Sequence, residues 1–174
     1  EIGDIDRSGS VDVVDWNYVR NIVLGVIEVE KDSPEFFAAN VNGDDDVNIG
    51  DVTMIANKIM TGDFYNYNYA RERGAVKNVV DAISVFTEGT GTRQRVIVNL
   101  DNSIDYVGCQ MDIKIPAGVR VVDQNLTGRA NSHELAFNDV DGARRILIAA
   151  VDTSTLLTTE RARVVFDVEV TPDY

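Results

Sequence analysis

The chain has very little of the chemistry on which most catalytic sites depend. Its 174 residues include one cysteine, Cys109, and one histidine, His133. A single thiol excludes an intrachain disulfide and a metal site built from several thiolates, and a lone histidine offers no evident nucleophile–base pair. The acidic residues with a recognisable spacing do not form the carboxylate pair of a glycosidase, so we expect a non-enzymatic chain.

Basic residues are scarce as well, with 16 against 29 acidic residues and a formal net charge of −13. This balance argues against the phosphate neutralisation that nucleic-acid binding requires. No run of 18 apolar residues is present, so no membrane span is expected, and residues 1–10 lack the basic start and apolar core of a signal peptide. Residues 1–70 hold 4 basic and 14 acidic residues, whereas residues 71–174 hold 12 and 15, which suggests two units with different roles.

The acidic part contains a repeat with an offset of 36 residues. Residues 4–15 read DIDRSGSVDVVD and residues 40–51 read NVNGDDDVNIGD. Both copies have oxygen-bearing side chains at positions 1, 3, 5, 9 and 12 and a valine at position 8. This is the spacing of a twelve-residue calcium loop, which coils around a hard cation and presents every second side chain inward. The alternative is an ordinary polar surface loop, but two copies in register favour calcium.

The sixth position of such a loop lies in a tight turn. Gly9 occupies it in the first copy and Asp45 in the second, and Asp enters left-handed backbone more readily than most residues. The carbonyls of Ser10 and Asp46, at position 7, are the expected main-chain ligands.

Each loop is followed by a helical pattern. Apolar residues recur at intervals of three and four from Trp16 and again from Val52, which predicts an amphipathic helix after each loop. Gly25 and Gly62 are plausible stop signals. Between the two helices, residues 33–35 (SPE) predict the start of a short third helix.

A duplicated loop and helix, with Asp at position 12 and no helix before the first loop, resembles dockerin, the calcium-dependent module that attaches proteins to cohesin domains. The resemblance covers residues 3–62. It implies two Ca²⁺ sites, with ligands Asp4, Asp6, Ser8, Ser10, Asp12 and Asp15 in the first and Asn40, Asn42, Asp44, Asp46, Asn48 and Asp51 in the second. Because the second set has fewer carboxylates, we expect it to hold its ion more weakly.

The resemblance also implies a face for a cohesin-type partner. In many dockerins a Ser-Thr pair and then a basic pair on the next helical turn contact cohesin. The equivalent places hold Val13, Val14, Arg20 and Asn21 in the first copy and Ile49, Gly50, Ala56 and Asn57 in the second. The hydroxyls are absent, which puts the usual partner in question, and packing inside the module is an equal alternative for Val13 and Ile49.

The rest of the chain carries strand signals. After a linker at residues 64–75, short apolar segments separated by turn clusters predict seven to nine strands. Apolar residues alternate from Val107 to Ile115, so one face is buried and Cys109 is a core residue. This predicts an antiparallel sandwich, and NLDNSIDYVGCQMDIKIPAGVRVV resembles the early strands of cohesin-like jelly rolls. Another immunoglobulin-like or carbohydrate-binding sandwich is the alternative.

The sequence therefore predicts two domains: a small all-α dockerin-like domain with two calcium loops (residues 1–63) and, after the linker, an all-β cohesin-like sandwich (residues 76–174). The expected function is calcium-dependent protein–protein assembly outside the cell or at its surface. The partner would be a cohesin-type domain, either of another protein or in another copy of the same chain. The alternative function is polysaccharide binding by the sandwich, with the dockerin as an attachment tag; a third option is a calcium-stiffened spacer.

Overall fold

The computed structural model describes residues 1–64, 81–128, 133–152, 154–156 and 162–171. The tyrosines of the predicted linker, at positions 65, 67 and 69, lie outside these residues. Within them the chain forms a few short helices followed by an antiparallel β region, as the sequence patterns predict at this coarse level.

The described residues contain three helices: α1 (Val13–Val23), α2 (Pro34–Ala39) and α3 (Ile49–Thr61). Asp12 and Asn48, at position 9 of the loops, are the N-caps of α1 and α3, and each belongs to a capping box. Ser33 caps α2, with proline at its first position. Gly62, in left-handed backbone, ends α3. The side chain at position 9 of each loop therefore has two roles, since it belongs to the loop and also caps the helix that follows.

Seven strands lie in the described β region. They are β1 (Ala82–Glu88), β2 (Arg93–Asp101), β3 (Cys109–Ile113), β4 (Val119–Thr127), β5 (Glu134–Val140), β6 (Ala143–Ala149) and β7 (Ala162–Val170). They form a four-stranded sheet in the order β1-β2-β7-β4 and a three-stranded sheet in the order β3-β6-β5. All of the pairings are antiparallel.

One hydrophobic cluster joins the two sheets. Its fully buried members come from both, for example Val164 on β7 and Ile146 and Ile148 on β6. Cys109 and Met111 on β3 pack against it, which agrees with the alternation predicted for that segment. Burial raises the pKa of the Cys109 thiol, as expected for a core residue.

A second cluster joins the helices to the three-stranded sheet. Trp16, Val19 and Ile55 from α1 and α3 share it with Leu147 and Ala149 from β6. The side chains of β6 therefore alternate between the helices on one face and the other sheet on the opposite face. This explains why residues 146–149 of β6 (ILIA) are all apolar, since this half of the strand is buried on both faces and has no polar side.

None of the described helices is long and apolar enough to cross a bilayer.

Candidate metal loops

The first loop brings three carboxylates together. One oxygen from each of Asp4, Asp6 and Asp15 lies within 4.8 Å of the others. Asp4 is 4% exposed and Asp15 is completely buried. Carboxylates this close repel one another, and burial strengthens the repulsion, so the cluster has the charge and the donor atoms that a hard cation requires.

Backbone N–H groups fix these carboxylates in place. Asp15 accepts hydrogen bonds at Oδ1 from the N–H groups of Ile5 (2.7 Å) and Asp6 (3.2 Å), and at Oδ2 from that of Asp12 (3.0 Å). Asp4 accepts from the N–H groups of Ser8 (2.9 Å) and Gly9 (3.1 Å). The first residue of the loop and the first turn of α1 are thus held to the loop backbone. A carboxylate that accepts several N–H groups is oriented before any ligand binds.

The other three predicted ligands of the first loop do not belong to this carboxylate cluster. Asp12 caps α1, accepting at Oδ1 from the Val14 N–H at 2.7 Å. The Ser8 hydroxyl lies 3.2 Å from the Ser10 carbonyl oxygen, which it can donate to. Position 9 of a calcium loop often acts through a water molecule, so the capping role of Asp12 is compatible with such a loop.

The second loop repeats the backbone pattern of the first. Asp51 accepts at Oδ1 from the N–H groups of Val41 (2.9 Å) and Asn42 (3.2 Å), and at Oδ2 from that of Asn48 (2.9 Å). These are the bonds that Asp15 makes, shifted by 36 residues. The duplication seen in the sequence is therefore a duplication of hydrogen-bonded geometry.

The side chains of the second loop differ from those of the first because amides replace carboxylates. The amide groups of Asn42 and Asn48 donate to Asp44 Oδ2 at 2.8 and 3.4 Å. The Asn40 amide donates to the Asp44 carbonyl oxygen at 2.5 Å, and the Asp46 N–H donates to Asp44 Oδ1 at 3.0 Å. Among the described residues, no trio of acidic groups like that of the first loop gathers here.

Asp51 is the loop residue whose pKa departs most clearly from its ordinary value. Its carboxyl group is completely buried. Burial, with a smaller contribution from the charge of Asp44, raises the pKa of Asp51 from 3.8 to about 6, although the backbone N–H bonds act in the opposite direction. Ionisation of this carboxyl group therefore costs free energy unless a cation lies beside it.

The backbone of the second loop differs from the sequence prediction at position 6. Gly9 has φ +94°, as expected for the tight turn of the first loop. Asp45 does not adopt left-handed backbone, so that prediction was wrong. Both loops instead have positive φ at position 4, with Arg7 at 61° and Gly43 at 71°. Glycine adopts this backbone at Gly43 without strain.

The residues assigned to a partner face divide into exposed and covered ones. Val13 and Val14, at the start of α1, are each 50% exposed. Asn21 and Gly50 are half-buried. Asn57 donates its amide to the Asp63 carbonyl oxygen at 2.8 Å, close to the end of its own helix. The most accessible part of the assigned face therefore lies beside the first loop.

Other parts of the chain cover three of the assigned residues wholly or in part. Arg20 pairs with Glu134 on β5 at 2.5 Å. Ile49 packs so closely against Gly108 that a Cβ at that glycine would lie 3.0 Å from it. Ala56 is completely buried, so its assignment to a partner surface is corrected: the helices pack on the sheet and leave it no accessible side chain.

Two further contacts between the units were not expected from the sequence. Asn138 donates its amide to the Leu24 carbonyl oxygen at 3.1 Å, and Arg145 donates to that of Val23 at 3.2 Å. Both carbonyls lie at the C-terminal end of α1, where helix carbonyl groups lack partners within the helix. The apolar residues 146–149 of β6 were a sequence signal that could have indicated this contact, because they imply that both faces of this half of the strand are covered.

Comparison of the chain with protein-family models and with the sequences of curated proteins gave no match.

Proposed function

We propose that residues 1–63 form a calcium-binding docking module of the dockerin type, and that the chain is a non-catalytic, calcium-dependent assembly protein. The observation that carries this proposal is the convergence of Asp4, Asp6 and Asp15, two of them buried, within 4.8 Å. No Lys or Arg side chain of the described residues is recorded in an ion pair with any of the three. A divalent cation is the simplest counterion for such a cluster.

The residues present fit calcium. A calcium ion supplies positive charge and accepts several oxygen ligands in a flexible arrangement. Asp4, Asp6 and Asp15 would hold it in the first loop, with Ser8, Asp12 and the Ser10 carbonyl as the remaining predicted donors. Asp4 and Asp15 stand at opposite ends of this loop, so holding both would fix the start of α1 relative to residues 4–8. The exposed side chains of Val13 and Val14 lie on that first turn.

The second loop would hold its ion more weakly. Only Asp44 and Asp51 among its predicted side-chain ligands are carboxylates, if the carbonyl ligand Asp46 is set aside. The amides of Asn42 and Asn48 already bond to Asp44, so these contacts must rearrange before their oxygens can turn toward a cation. Fewer charges and the loss of internal hydrogen bonds both lower affinity.

The β region supports the assembly proposal in a different way. Two antiparallel sheets around a shared cluster are the arrangement of a sandwich, and the resemblance to cohesin-like jelly rolls is proposed for it. Its three-stranded sheet already receives α1 and α3 of the same chain. A partner in another molecule would therefore meet the module mainly at the first loop and the first turn of α1.

Polysaccharide binding by the β region has less support. A glycan platform generally needs several exposed aromatic rings on one surface. The phenylalanines exposed on the described strands are Phe86 and Phe137, and they belong to different sheets.

Calorimetric titration of the calcium-free chain with Ca²⁺ tests the metal part of the proposal. We expect two binding steps of unequal affinity and the loss of the tighter one in Asp4→Asn. Asp63→Asn, an exposed aspartate outside both loops, is the matched control and should bind like the parent chain. The absence of any calcium heat at millimolar Ca²⁺ would refute the proposal.

The docking part is tested by the binding of purified cohesin domains to the immobilised chain in Ca²⁺ and in EDTA. Binding that requires Ca²⁺ and is weakened by Val13→Lys would support a face at the first turn of α1. Calcium binding without any cohesin binding would leave the metal sites standing and refute the cohesin-type partner.

A further inference from the structure

An apolar groove lies between the two sheets on the β1 side. It has a volume of about 620 Å³, and the apolar side chains that line it include Ile83, Val85, Val96, Met111, Ile113 and Val121. Ile83 and Val85, on β1, are 61% and 60% exposed. The four-stranded sheet has one strand more than the sheet that covers it, so the inner face of β1 lacks a cover among the described residues.

The outer edge of β1 is also unpaired within the described part of the chain, where β1 pairs with β2 alone. An edge strand exposes every second backbone N–H and C=O group to solvent, and a further strand is the structure that satisfies such a row. The free edge fits an extended backbone, and a strand with apolar side chains at alternate positions would continue the apolar wall that β1 gives to the groove.

β1 differs from the other three edge strands in having no protection against pairing. β4, at the far edge of the same sheet, has a register shift at Val122 and charged residues along its length. The edges of the second sheet carry charges too, Asp112 on β3 and Asp139 on β5 among them. β1 reads AISVFTE, with a single charge at its last residue and no bulge. Charges and bulges are the usual devices that prevent edge pairing, and β1 has neither in its centre.

We propose that β1 is a self-association edge, at which β1 of a second copy of this chain adds antiparallel across a two-fold axis at Val85. This register places Ile83 opposite Thr87 of the other copy and Ser84 opposite Phe86. Glu88, the one charged residue of the strand, faces Ala82, so no like charges meet directly. The second copy supplies what the edge lacks, because its β1 has the same free backbone and the same alternating apolar side chains.

The pairing joins two four-stranded sheets into one of eight strands. On the groove side, Val85 would meet Val85 of the other copy, with Ile83 and Thr87 on either side. Phe86, 51% exposed on the opposite face, would pack beside Ser84 of the other copy. None of these residues belongs to the calcium loops, so the inference does not rest on the proposed function.

Sedimentation velocity of the 174-residue chain in saturating Ca²⁺ tests this proposal. We expect a concentration-dependent dimer whose dissociation constant rises at least about tenfold in Val85→Lys, because two ammonium groups would face each other at the axis. Val122→Lys is the matched control. It introduces the same charge at a valine of similar exposure (53%) on the opposite edge of the same sheet, and should dimerise like the parent chain.

Cross-linking gives a second readout that does not depend on disrupting the dimer. In a Cys109→Ala background, Val85→Cys should form an intermolecular disulfide under mild oxidation, whereas Val122→Cys should not. A chain that remains monomeric at high concentration overturns the proposal, as does a dimer weakened by Val122→Lys but not by Val85→Lys. A monomer that instead binds an extended peptide from another protein also overturns it, and would assign the groove to a different occupant.

Discussion

The two loops share one backbone and differ in the groups that fill it. In both, the aspartate at position 12 accepts the N–H groups of positions 2, 3 and 9. In the first loop the interior holds three carboxylates, whereas in the second the amides of Asn42 and Asn48 donate to Asp44. The first loop concentrates negative charge, whereas the amides of the second loop satisfy part of its acceptors. The shape of the loop and its charge are therefore set by separate parts of the sequence.

The largest expected effect comes from removing the buried acid of the first loop. Asp15→Asn should destabilise the calcium-loaded chain by about 3 kcal/mol, because it removes a buried charge from the cluster and places an amide donor against a backbone N–H group. Urea unfolding in Ca²⁺ and in EDTA measures this, and the loss should be smaller in EDTA, where only the part that comes from the hydrogen bonds remains. Asp63→Asn should stay within about 0.5 kcal/mol of the parent chain. An equal loss in both buffers would show that Asp15 has a purely structural role.

Replacing amides of the second loop with carboxylates should bring its calcium affinity closer to that of the first loop. The double variant Asn40→Asp and Asn42→Asp restores carboxylates at positions 1 and 3 and should raise calcium affinity at the second site about tenfold, or roughly 1.4 kcal/mol. In EDTA the same variant should be less stable than the parent, since it brings more acids together without a counterion. Calorimetry measures the change in calcium affinity, and urea unfolding measures the change in stability. Asn57→Asp on α3, outside the loop, is the control, and a gain of affinity there would point to general electrostatic attraction.

A smaller effect is expected on the pH dependence of the free energy of unfolding in the absence of calcium. The pKa of Asp51 is about 6 in the folded chain against an ordinary value of 3.8, so the folded state retains this proton at a higher pH than the unfolded state does. Stability in EDTA should therefore fall as the pH rises from about 4 to about 6, and the contribution is fully lost above that range. Urea unfolding at several pH values should show a shallower fall in Asp51→Asn than in the parent chain. Identical slopes would mean that Asp51 ionises normally.

The smallest effect lies where the helices meet the sheet. Arg20 on α1 pairs with Glu134, while the equivalent position of the repeat is the buried Ala56. Because Glu134 is 64% exposed, Glu134→Gln should cost no more than about 0.5 kcal/mol in urea unfolding. Asn138→Ala, which removes the donor to the Leu24 carbonyl, should cost about 1 kcal/mol. A larger loss from Glu134→Gln than from Asn138→Ala would reverse our ranking of the contacts between the units.

Local features of the fold were predictable in detail. The start of α2 at Ser33 and the stop at Gly62 follow from side-chain and backbone chemistry within a few residues of the helix ends. The alternation around Cys109 was read correctly because a strand buried on one face repeats every two residues. The left-handed backbone expected at Asp45 does not form, and the left-handed residue of the second loop is Gly43, which adopts this backbone without strain.

Short-range signals in the sequence specify the duplicated loops, the helices that follow them and the strands of the β region, because hydrogen bonds over about twelve residues and short apolar periods encode these elements. Which surfaces are covered depends instead on tertiary packing. Leu147 and Ala149 bury one face of the helices, and Arg145 reaches the end of α1 from 122 residues away. Apart from the apolar half of β6, no local pattern indicates contacts of that separation. The burial of Ala56 and, among the described residues, the unpaired edge of β1 therefore emerge from the assembled fold.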